Sequence, residues 1–209
     1  MPPAPAIRTR IVTLQLIPSS DTSRIVAGVT PDHGLVRLKL PGIRTVSRRR
    51  FSQADLFQCA ELEFRPASTP EALAKCLRFE PLRNFTGIAR HPRCLETAAW
   101  CARFLLLNLH DGLGHPRLFA AVETAWGRLE DRSLAPEVAA VAGRCGILVA
   151  FLEEEGGLPA YAEDAAAAAR RDVILNLATG PLPRFGARDW ERTWEWLEAI
   201  ARHAELRLP

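Results

Sequence analysis

The chain has 209 residues, 48% of them hydrophobic and 24% charged, with a formal net charge of +3. That balance fits a globular protein with a sizeable core and excludes a disordered or collagen-like chain. No run of about 18 apolar residues exists to span a bilayer, and MPPAPAIRTR lacks the apolar segment of a secretory signal. A cytoplasmic protein without a membrane partner is therefore expected, its first six residues a short flexible arm.

The charge is unevenly placed. Residues 1–80 carry 12 Lys+Arg against 7 Asp+Glu, a net +5, while the remainder is net −2. An anionic partner for the N-terminal part follows from that asymmetry.

Residues 7–17 (IRTRIVTLQLI) are rich in β-branched residues and read as a strand. A polar turn, Pro18 to Ser23, follows. Arg24 to Thr30 is a second strand, with Ile25, Ala27 and Val29 on one face. Pro31-Asp32-His33-Gly34 has the pattern of a type I turn. Leu35 to Leu40 is a third strand, in which Val36, Leu38 and Leu40 point one way and Arg37 and Lys39 the other. Two cations placed so stand about 7 Å apart along the strand, close to the step between successive phosphates.

After Pro41-Gly42 comes a cationic loop holding Arg44, Arg48, Arg49 and Arg50. Leu56 to Phe64 forms a fourth strand, and LAKCLRF, within Glu71 to Phe79, a fifth. Five short strands in about 80 residues predict a small closed barrel of the OB type, over residues 7–82. The aromatics near its basic face are Phe51 and Phe57, so backbone contacts should outweigh base stacking.

From Pro92 the apolar period changes to that of helices, and residues 83–209 are expected to form a helical domain. Cys94 to Leu109 carries Leu95, Ala98, Ala102, Leu105, Leu106 and Leu109 on one stripe, with Trp100, Phe104 and Leu107 over much of the rest. Such a helix is expected to be the buried central one, stopped by Asp111-Gly112. Pro116 opens a second helix (Leu118, Val122, Ala125, Leu129). Pro136 opens a third (Val138, Val141, Cys145, Leu148, Leu152), ending at Gly156-Gly157. Residues 163–178 are helical by their alanine content, and Asp189 caps a last helix bearing Trp190, Trp194, Leu197 and Ala201. The fold class is thus α+β: a five-stranded OB barrel followed by a helical bundle.

Enzyme signatures are weak. There is no nucleophile elbow, no P-loop and no dinucleotide fingerprint. His91, His110-Asp111 and Asp172 echo a metal phosphohydrolase of the HD type, yet His110-Asp111 falls at an ordinary helix stop. The five cysteines contain no C-x-x-C pair and read as small buried hydrophobes, not zinc ligands. Glu153-Glu154-Glu155 reads as a solvated helix end. Trp190, Trp194 and Trp196 read as packing residues, with a peptide groove beside them as the alternative. No catalytic residue, metal or cofactor is expected.

The run DTSRIVAGVTPDHGLVRLKLPGIRTVSRRRF, followed by a strand of the LFQCAELEF kind, resembles the N-terminal domain of the RecO family of bacterial recombination mediators. The residues that carry the likeness are Ser23-Arg24, Thr30 to Gly34, Lys39, Gly42-Ile43-Arg44 and Ser47-Arg48. The helical stretch 92–154, with its P-R-L-F start at Pro116 to Phe119, is also similar. The resemblance implies an OB-fold and a helical domain that bind single- and double-stranded DNA and anneal strands. It implies help in loading RecA, together with RecR, and contact with the C-terminal tail of the single-strand-binding protein, in the cytoplasm at the nucleoid. It makes Arg24, Arg37, Lys39, Arg44 and Arg48 the DNA-contact candidates, to which the charge pattern adds Arg49 and Arg50. Many members carry a four-cysteine zinc motif in the helical part. Around Gly143 to Pro159 this chain has Cys145 alone. A relative that serves only as a protein-interaction scaffold is the alternative reading.

Overall fold

A computed structural model describes residues 5–20, 23–41, 54–67, 69, 72–159 and 165–209; for Ser20, Pro41 and 165–170 it describes the backbone only. The chain divides into two compact units. One comprises Met1–Phe85 with Leu109–Pro116, and the other Thr86–Asn108 with Arg117–Pro209.

The first unit is a closed five-stranded barrel built from β1 (Ile7–Ser20), β2 (Ser23–Thr30), β3 (Gly34–Pro41), β4 (Gln58–Arg65) and β5 (Ala74–Asn84). Its strand order is β1-β2-β3-β5-β4, with β4 returning to β1, the OB-type arrangement expected. All neighbours are antiparallel except β3 and β5, which run parallel. Inside lie Ile11, Val26, Val36, Leu38, Leu40, Leu62, Phe64 and Phe79, with further small residues. Leu38 and Phe79 are at most 2% exposed. At about 25 cal/mol per Å2 of apolar surface, each such side chain contributes roughly 2–3 kcal/mol.

Three local expectations change. The polar turn after residue 17 is shorter, because β1 continues through Pro18, paired with Arg24, to Ser20, paired with Ser23. On β2 the barrel core takes Val26, from the face opposite Ile25, Ala27 and Val29; Ala27 and Val29 are buried as well. Phe57 is buried, with a left-handed φ of 56°, so it offers no stacking face. Thr13 holds that corner: it accepts the Gln58 N–H at 2.9 Å, and its carbonyl accepts the Phe57 N–H at 3.1 Å.

The second unit opens with a 3-10 turn (Thr86–Arg90). Five helices follow: α1 (Pro92–Asn108), α2 (Pro116–Glu130), α3 (Pro136–Glu154), α4 (Ala165–Thr179) and α5 (Ala187–His203). The central helix is α3, not α1. Helix α3 packs against α1, α4 and α5 and is buried nearly continuously from Ala139 to Leu152. Ala139, Ala140, Ala142, Gly143 and Gly146 give it a thin profile that lets neighbours approach closely. Helix α1 leaves Leu95 and Leu107 exposed and buries only Cys94, Thr97, Ala98, Cys101, Ala102, Phe104 and Leu105.

The ends of these helices show what periodicity misses. Glu154 is not merely solvated: its carboxylate accepts the N–H groups of Arg117 (2.7 Å) and Leu118 (3.4 Å) at the start of α2, and Glu153 pairs with the Arg117 guanidinium. Helix α3 closes with the Gly157 N–H on the Leu152 carbonyl and the Gly156 N–H on that of Glu153, a Schellman end. On α5, Gly186 holds the cap position, and Asp189, three residues in, accepts its N–H at 3.0 Å.

Candidate nucleic-acid interface

The alternation on β3 is as the sequence implies: Val36, Leu38 and Leu40 are buried while Arg37 and Lys39 are exposed. Residues opposite each other in a ladder share a face. Lys39 lies opposite Ile25 and Arg37 opposite Ala27, so both cations stand on the outer face. Arg24 lies opposite the inward Leu40. It is exposed, but on the other side of the sheet from Arg37 and Lys39. The structure therefore does not gather these three candidates on one surface. Arg44, Arg48, Arg49, Arg50 and Phe51 lie outside the described residues.

Arg37 already has an anion beside it. Its Nη1 donates to Asp111 Oδ1 at 3.1 Å, and both side chains are about half exposed. Asp111 belongs to the α1–α2 connection, which folds along the β2–β3 hairpin. The Leu35 N–H donates to the His110 carbonyl (3.3 Å), the Gly112 N–H donates to that of His33 (3.0 Å), and Gly34 and Asp111 form a bridge. Gly34 has φ +60°, and a Cβ there would meet the His110 carbonyl oxygen at 2.5 Å, so glycine is required both for the turn and for this contact. A helix stop at His110-Asp111-Gly112 accounts for the end of α1 but not for this docking.

Elsewhere on the outer barrel surface arginines meet carboxylates: Arg10 on β1 lies opposite Glu61 on β4, itself opposite Glu80 on β5. Arg8, Glu63 and Arg78 stand in one register row on β1, β4 and β5, with Arg8 paired to Glu63 at 3.3 Å. Arg78 pairs along its own strand with Glu80 at 2.6 Å, which holds its guanidinium firmly protonated. Arg8, Glu63 and Arg78, with Arg10, Glu61 and Asp32, line a cleft of about 430 Å3. Its three arginines meet three carboxylates, so it offers no net field for a phosphate.

One row is cationic throughout. Lys39 on β3 is in register with Lys75 on β5, and Lys75 with Arg65 on β4. Lys39 and Lys75 are exposed, Arg65 is half-buried, and none of the three forms an ion pair with a described residue. The Nε of Arg65 is buried without a hydrogen-bond partner. No local pattern marks Lys75 and Arg65, because they join Lys39 only through the β3–β5 pairing, between segments some 36 residues apart, and the β4–β5 pairing.

The phosphohydrolase pattern finds no constellation. The His110 carbonyl serves the β3 edge, Asp111 serves Arg37, and Asp172 is an exposed residue of α4. Among the described residues no group of three or more His, Cys, Asp or Glu could hold a metal. All five cysteines are buried and none forms a disulfide. Burial pushes the thiols of Cys76 and Cys145 up to about 12. The donor set does not fit the zinc that the family resemblance brings with it. In the helical unit Trp190 is buried edge-on to Phe185, while Trp100 and Trp194 meet edge-on at 5.4 Å beneath the Arg144 guanidinium.

No family model matches the chain. Over 142 residues it is 26% identical to the DNA repair protein RecO of Thermosynechococcus vestitus, a stretch covering 68% of this chain and 50% of that protein. The chain thus spans about half the length of the curated relative it matches.

Proposed function

We propose that this protein binds DNA and acts in DNA repair as a RecO-type mediator, without covalent chemistry. The observation that carries this reading is the likeness to a DNA repair protein RecO over 142 residues. The closed barrel with its uncompensated outer cations supports it. The mechanism is electrostatic: lysine and arginine side chains neutralise phosphates, release condensed counterions, and hold strands close enough to pair. Single- and double-stranded DNA are both partners on this reading. Annealing, the loading of RecA together with RecR, and contact with the tail of the single-strand-binding protein complete it, in the cytoplasm at the nucleoid. Arg24, Lys39, Arg44, Arg48, Arg49 and Arg50 are the DNA contacts proposed, and Arg37 joins them once Asp111 releases it.

The test is fluorescence anisotropy with a labelled single strand and its duplex across a salt series. Affinity should fall linearly on logarithmic axes, by about 0.7 in slope for each single-strand phosphate neutralised. No binding at low salt, or binding indifferent to salt, refutes the reading and leaves the scaffold alternative.

A further inference from the structure

From the register of β3, β5 and β4, we infer that Lys39, Lys75 and Arg65 form a track across the barrel for the sugar–phosphate backbone of a single nucleic-acid strand. It rests on the DNA-binding reading and deepens it, since it says where a strand lies and in which direction. The sequence suggests a path along β3, from Arg37 to Lys39. The structure points across the strands instead.

Three observations carry the assignment. First, the row is like-charged. Cations directly opposite each other on neighbouring strands repel and cost stability, and the adjacent row avoids this by alternating Arg8, Glu63 and Arg78. Three cations in register without a carboxylate make a surface that a bound anion would stabilise. Second, the neighbouring cations are occupied: Arg37 by Asp111, Arg8 by Glu63 and Arg78 by Glu80. Lys39, Lys75 and Arg65 have no such partner among the described residues. Third, Arg65 keeps a buried Nε–H without an acceptor. When the guanidinium turns outward, a phosphate oxygen would supply one and relieve the cost of a buried donor left unsatisfied.

The dimensions suit one strand. Neighbouring strands lie about 4.8 Å apart, so the row spans about 10 Å from Lys39 to Arg65. That is room for two or three consecutive phosphates of one backbone. Phe64 and Phe79 point into the core, so the described part of this face offers cations and no stacking ring.

The experiment measures the salt dependence of binding to labelled oligo(dT), and to its duplex with oligo(dA), by the full chain and its variants. Lys75→Gln and Arg65→Gln should each lower the slope by about 0.7, and the double variant by about 1.4. Arg65→Lys should retain it, and Arg78→Gln, on the alternating row, should leave it unchanged. Lys75→Glu, at an exposed position that tolerates substitution, should abolish more affinity than Lys75→Gln. If the wild type binds and Lys75→Gln with Arg65→Gln keeps the full slope, the track is wrong while DNA binding stands. A loss from Arg78→Gln as large as from Lys75→Gln also overturns it, since the field would then be diffuse. A loss confined to duplex DNA overturns the single-strand assignment. If the wild type binds no strand at all, the functional reading fails and the track falls with it.

Discussion

Asp111→Asn isolates the contact that most alters what the basic strand can do. Asp111 accepts from Arg37 at 3.1 Å with both side chains about half exposed. Exposed pairs of this kind are worth about 0.2–1 kcal/mol. A phosphate recruiting Arg37 must first displace the carboxylate, so removing its charge should strengthen single-strand binding by up to that amount, roughly 1.4- to 5-fold in Kd. The freed guanidinium adds one phosphate contact, steepening the salt slope by up to about 0.7. The Gly34–Asp111 bridge and the backbone bonds of the connection do not involve the carboxylate, so the fold should persist. Anisotropy titrations of Asp111→Asn, Arg37→Gln and the double variant form a closed cycle. Asp111→Asn should bind tighter, Arg37→Gln nearly as the wild type, and the double variant like Arg37→Gln. If Arg37→Gln alone removes a full 0.7 of slope and Asp111→Asn changes nothing, Arg37 engages DNA unhindered and the reasoning fails.

Other perturbations test the scaffold. Arg128 is 8% exposed and donates to the carbonyls of Leu177 (2.5 Å) and Gly180 (2.6 Å) at the end of α4. Arg128→Met should therefore destabilise the helical unit by about 2–4 kcal/mol, read as lost hydrogen-exchange protection in α4; unchanged protection would contradict it. Gly146→Ala should act on the same seam, since a Cβ there would meet the Leu177 carbonyl oxygen at 2.5 Å. A stabilised variant, as helix propensity alone would suggest, would show that α4 can yield. Cys145 keeps its proton to about pH 12 when folded, against 9.0 for an unperturbed thiol. Between those values the unfolded chain holds fewer protons than the native one, so stability falls as pH rises, by about 1 kcal/mol per pH unit. Cys145→Ala should flatten that alkaline decline even while lowering stability at neutral pH, and denaturant melts across pH 8–11 read it.

Much of this protein is written locally. The alternation through Val36, Arg37, Leu38, Lys39 and Leu40 assigns inner and outer faces before any partner strand is known, because successive side chains leave opposite sides of the backbone. Five such segments within about 80 residues are enough for the barrel, and Pro92, Pro116 and Pro136 stand at the first position of their helices as expected. Composition also places the positive charge in the barrel half.

What local pattern does not carry is which residue meets which. Pairing is non-local, so only the closed sheet brings Lys39, Lys75 and Arg65 into one row and sets Arg24 on the opposite face. Only the folded chain brings Asp111 back 74 positions to neutralise Arg37, or Glu154 to the start of α2. The same holds for the bundle, where apolar content pointed to α1 while small side chains, which allow close approach from several sides, made α3 the centre. The sequence by itself determined which residues are cationic and, along β3, which way they face. The tertiary structure decided which of those charges are already spent within the fold and which remain for a partner, because neutralisation depends on distances that periodicity does not encode.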